Sequence, residues 1–94
     1  MALARVVSFN GVTKERVEEM KRQMSEGEQP QDIPATEIIM LHDPDAQESL
    51  AILFFDSEDD YRRADAALNA MPSSDTPGSR SGVRRYDVAI RMTA

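Results

Sequence analysis

His42 is the one side chain in this 94-residue chain whose ordinary titration falls near neutral pH, and it stands between an apolar run, IIML, and a turn-forming DPDA. In that position it reads either as a general base at the rim of a cavity or, more plainly, as a turn residue bonding to Asp43 or Asp45. A metal site on His42, Asp43 and Asp45 is disfavoured, because three ligands crowded into one tight turn rarely converge and no fourth is visible. A second group lies near the C-terminus, where Arg80, Arg84, Arg85 and Arg91 make an acidic chain locally basic. Arginine suits bidentate contact with a carboxylate, so Arg85, with Asp87 and Arg91 on the same strand face, is a candidate anion site. The competing reading is an edge strand that carries charge to discourage further pairing. The Tyr86 hydroxyl, Ser8 and Asn10 complete the polar groups able to line a ligand cavity, although a tyrosine in a strand is more often a core ring with a wet tip. Met20, Met24 and Met71 read as helix stripes, and Glu58, Asp59 and Asp60 as charges matched to a helix start.

Those residues need a scaffold, and length bounds it. Ninety-four residues make one domain, 1–94, small enough that its own core is modest. Without cysteine there is no disulfide and no thiolate metal site, which is compatible with a reducing, cytoplasmic setting. The N-terminal residues lack the charged and apolar regions of a signal peptide, and the longest apolar run falls far short of a membrane span, so a soluble protein is expected. Seventeen acidic against eleven basic side chains, a formal charge of -6, argue against nucleic acid as a partner, since phosphate neutralisation needs a basic patch.

The elements follow from periodicity and punctuation. Residues 4–9, ARVVSF, read as a strand that stops at Asn10-Gly11. Thr13 caps a helix with the stripe Val17, Met20, Met24, closed by Gly27 and followed by a loop over 28–34. Strands are expected over 35–42 and 48–56, joined through Asp43-Pro44 in a hairpin. Ser57 opens a second helix with the stripe Tyr61, Ala64, Leu68, Met71, which ends at Pro72. A Ser-, Pro- and Gly-rich loop over 72–82 leads to an alternating fourth strand over 83–93, with Tyr86, Val88, Ile90 and Met92 on one side. The order is β-α-β-β-α-β, a ferredoxin-like α+β arrangement with four antiparallel strands and both helices on one face.

One feature of the central strands predicts assembly. Ile38 and Met40 alternate with Ile39 and Leu41, and Leu50, Ile52 and Phe54 alternate with Ala51, Leu53 and Phe55, so both sheet faces are apolar while helices cover one. Water would meet a contiguous apolar patch of a kind that monomers rarely expose. Burying ~600 Å2 of it per subunit is worth on the order of 15 kcal/mol before association costs of similar size. A homodimer through the open sheet face is the expected solution.

With this order, size and pair of two-faced strands, the chain resembles the dimeric α/β-barrel superfamily, which includes antibiotic-biosynthesis monooxygenase-like proteins. The resemblance implies two ferredoxin-like subunits packed sheet to sheet, and it carries no diagnostic motif. Asn10 matches an asparagine that the haem-degrading branch places near the end of strand one, but this chain has no tryptophan and its histidine lies elsewhere; Asn10 and Tyr86 are compatible with the quinone-forming oxygenases. RNA-recognition, acylphosphatase and copper-chaperone variants of the fold lack their motifs here. Two functions follow. One is a dimeric module whose interior is mostly packed core, with no catalytic set and no cofactor. The other is a cofactor-independent monooxygenase or isomerase acting on a small aromatic or polyketide-like ligand held by some of Ser8, Asn10, His42, Arg85 and Tyr86. A cavity on which those polar groups converge would favour the second.

Overall fold

The first strand, β1 (Leu3–Asn10), buries Leu3, Arg5, Val7 and Phe9 on one face, while on the other Ala4 is buried, Val6 and Ser8 half-buried and Asn10 exposed. The computed structural model describes residues 2–25, 33–70 and 77–93. Gly11, at φ +69°, turns the chain out of β1 through a conformation that side chains with a Cβ resist. Thr13 then caps α1 (Lys14–Ser25): its hydroxyl accepts from the Arg16 amide at 3.2 Å, and its carbonyl from Val17 at the same distance. Gly27 and residues 28–32, expected as a helix stop and a loop, lie outside the described residues, as do Met71 and Pro72.

The central hairpin joins β2 (Glu37–Asp43) to β3 (Glu48–Phe55). Asp43 Oδ1 accepts from the amides of Asp45 at 3.1 Å and Ala46 at 3.2 Å, and Gln47, at φ 54°, takes the left-handed step that returns the chain. Ser57 caps α2 (Glu58–Asn69) by accepting from the Asp60 amide at 3.2 Å. The last strand is β4 (Ser79–Asp87).

The four strands form one antiparallel sheet in the order β2-β3-β1-β4, which fits the ferredoxin-like arrangement, and the fold is α+β. Register fixes the faces. Leu3 stands opposite Phe55, Arg5 opposite Leu53 and Val7 opposite Ala51, and Ile38 and Met40 continue these rows on β2. This is the helix side. Its core falls into two clusters: Leu3, Leu53, Phe55, Tyr61 and Ala64 under α2, and Val7, Phe9, Val12 and Val17 under the start of α1. Ala51 touches both.

Strand four departs from its expected limits of 83–93. It starts four residues earlier, at Ser79, inside the segment read as a loop over 72–82, and it ends at Asp87. Pairing with β1 decides both ends. Ser79 to Gly82 have little strand propensity, but β1 extends to Asn10 and needs a partner there. The register shifts at Ser8 and Phe9, so that Ser81 bulges. Beyond Asp87 the alternation of Val88, Ile90 and Met92 has no strand to pair with among the described residues, because β1 begins at Leu3; the Val88 amide makes one more bond, to the Ala2 carbonyl at 3.0 Å. The tail instead crosses the end of the open face. Arg91 stacks over the Phe54 ring at 4.6 Å from its centroid and pairs with Glu37 on β2, leaving Ile90 80% and Met92 86% exposed.

Candidate functional site

The cleft between α1 and the sheet arises from a shortage of side-chain volume. Helix α1 is mostly charged and sends Val17 into the core, with Met20 half-buried beside it; the sheet opposite carries only alanine at position 51, where the two core clusters meet. The space left is a cleft of about 800 Å3, with largely apolar walls that include Val7, Phe9, Met20, Met40, Leu53 and Leu68. That is within the size of small-molecule sites.

Two arginines meet on the α2 side of the cleft. Arg5 projects from β1 to the helix side and is 1% exposed, a burial that a guanidinium tolerates only with partners. Its Nε donates to Asp65 Oδ1 on α2 at 2.8 Å and its Nη2 to Asn69 Oδ1 at 3.1 Å. The same Asn69 oxygen accepts from Arg80 Nη1 at 2.8 Å, while Arg80 Nη2 donates to the Leu68 carbonyl at 3.3 Å and Asn69 Nδ2 to Asp65 Oδ2 at 3.3 Å. Both arginines border the cleft. The α2 side of this network also shapes Tyr61. Burial chiefly raises its pKa above the ordinary 10.0, Asp65 adds to the rise, and Arg5 and Arg85 oppose it.

Strand alternation distributes the candidate residues. Ser8 and Asn10 lie on the open face and border a second, open depression of about 480 Å3 at the hairpin end of the sheet, while His42 borders both this depression and the cleft. The His42 side chain belongs to the helix side, opposite Ser49, and Nε2 donates to the Val12 carbonyl at 3.1 Å rather than bonding to Asp43 or Asp45. That bond requires the proton on Nε2 and joins the turn after β1 to the hairpin, a link repeated where the Val12 amide meets the Gln47 carbonyl at 2.7 Å. Arg85 and Asp87 share the helix side of β4, as expected, but Arg91 does not join them. Arg85 pairs with Glu58 at 3.0 Å and stacks on Tyr61 at 5.1 Å. Tyr86 lies on the open face opposite Ala4, 45% exposed, with Arg84 over its ring at 5.9 Å. Ser8, Asn10 and His42 are thus brought near one another, and Arg85 and Tyr86 stand apart from them and from each other. Among the described residues no group of three His, Asp or Glu could hold a metal ion.

Sequence reasoning passed over Arg5. Its position, two residues from Leu3 and two from Val7, places it on their face of the strand. Comparison with protein-family models, curated proteins and solved structures finds no match to this chain. Its class is defined by fold and cleft: an α+β chain with ferredoxin-like strand order and an apolar, arginine-bordered cleft under its first helix. No helix among the described residues is long and apolar enough to cross a membrane.

Proposed function

We propose that the protein is a small-molecule-binding module that holds an apolar compound between α1 and the sheet and works as a homodimer. The cleft of about 800 Å3 carries the binding reading, because filling it removes apolar surface from water on both ligand and protein. Neutral dodecanol is a direct probe. It should raise the melting temperature in a concentration-dependent way, since a ligand that binds only the folded state stabilises it by mass action. Ala51→Phe places a ring at the junction of the two core clusters and should weaken dodecanol binding at least about tenfold. Unchanged binding in that variant would locate the ligand elsewhere.

The dimer rests on the opposite face. Ile39 and Leu41 on β2 stand beside Ile52 and Leu50 on β3, with Val6 next in the row, and Leu41 is 50% and Leu50 37% exposed. Exposed Ile90 and Met92 in the tail add apolar surface near the end of that face. A second copy meeting this sheet would cover a patch that water otherwise wets, as in the dimeric α/β barrels the sequence resembles. A non-enzymatic role is favoured over the monooxygenase or isomerase reading: Ser8, Asn10 and Tyr86 face away from the cleft, and the His42 Nε2 proton is committed to Val12.

A further inference from the structure

We infer that the cleft ligand is an amphiphilic carboxylate, its anionic head held between Arg5 and Arg80 and its apolar body lying over Val7, Met40 and Leu53. The inference rests on the binding reading above and specifies which class of compound the site prefers.

Two guanidinium groups donate to one neutral oxygen, Asn69 Oδ1, from 3.1 and 2.8 Å. Such close cations repel unless anions compensate them, and repulsion is stronger where one is buried. The network supplies one carboxylate, Asp65, bonded to Arg5 alone of the two. One positive charge is left over beside an apolar space. Donors remain as well. Arg5 spends Nε on Asp65 and Nη2 on Asn69, which leaves Nη1; Arg80 uses Nη1 and Nη2 once each, which leaves Nε and a further hydrogen on each terminal nitrogen. Arg5 borders the cleft at only 1% exposure, so Arg80, at the surface, presents the more open fork. A planar carboxylate accepting from the Arg80 fork, with the Arg5 guanidinium beside it, would neutralise the excess. The rest of the cleft reinforces the sign: Lys14 and Lys21 border it against a single acid, Glu18, which already pairs with Lys21 at 3.5 Å. In a chain of net charge -6 this is a local reversal. The apolar walls exclude a small hydrophilic anion as the best fit, because they would stay wet around it.

The test compares dodecanoate with dodecanol, both below micellar concentration, by titration calorimetry on the full chain at neutral pH. Wild type should bind dodecanoate at least about tenfold more tightly, the scale of one charge-assisted pair of hydrogen bonds. Arg80→Gln should bring the two affinities together by weakening dodecanoate alone, and Arg80→Lys should restore part of the preference. Arg80 lies at the surface, and an unchanged unfolding midpoint checks that the variants fold. Equal affinity in wild type, or a preference that survives Arg80→Gln, overturns the head-group assignment while the cleft reading stands. Failure of both probes to bind overturns both.

Discussion

Arg5 shows how a single side chain can serve both stability and recognition. Truncating its partner, Asp65→Ala, leaves a guanidinium at 1% exposure without its anion and should cost about 3 kcal/mol in denaturant unfolding; Asp65 is itself partly open to solvent, which holds the figure at the low end for a stranded buried charge. Arg5→Met combined with Asp65→Leu should recover most of that loss, because removing both charges removes the desolvation cost along with the attraction. His42 is a quieter residue. His42→Ala forfeits its bond to the Val12 carbonyl and should lower stability by about 1 kcal/mol, read as a lower urea midpoint. Tyr61 provides a pH signature. The native state holds its phenolic proton above the ordinary pKa of 10.0, so its stabilising contribution is complete below that pH and is lost as pH climbs from there through the folded value. The urea midpoint of wild type should therefore fall relative to that of Tyr61→Phe above about pH 10, and parallel curves would refute the assignment. At this scale the sequence was legible where the signal was local: Thr13 and Ser57 cap the helices they were expected to open. The partners of His42 and Arg5 lie 30 and 60 residues away, beyond the reach of local spacing.

Among the elements, the two helices and the central hairpin were readable from apolar period and turn chemistry, and β4 was not. Its visible alternation, Tyr86 to Met92, belongs half to a strand and half to a tail, and only the length of β1 determines where pairing stops. Polar residues 79–82 are strand because Phe9 and Asn10 need neighbours. Gly78 sets the entry to this strand. A Cβ there would lie 2.4 Å from the Asn10 carbonyl oxygen, so Gly78→Ala should cost about 2 kcal/mol by forcing β1 and β4 apart. Amide exchange offers a second check, since Val83 to Arg85 should open more slowly than Ile90 or Arg91, whose backbone lies outside the sheet.

For the whole molecule, the two-faced central strands were legible in the sequence and define both halves of the account. The helix side holds a cleft that the sequence does not display, because volume depends on which small residues come together, and the meeting of Ala51 with a sparse α1 stripe is a tertiary fact. The open side should make a dimer at micromolar concentration by light scattering, and Ile52→Lys at its centre should give monomers that remain folded, since that side chain points away from the helices. The binding claim is tested most directly by intermolecular nuclear Overhauser effects from bound dodecanol to selectively labelled methyl groups. Contacts to Met20 and Met40, which line the cleft, with none to Leu50 or Ile52 on the open face, are the predicted result. Contacts confined to Leu50 and Ile52, or none at all at saturating probe, would contradict it.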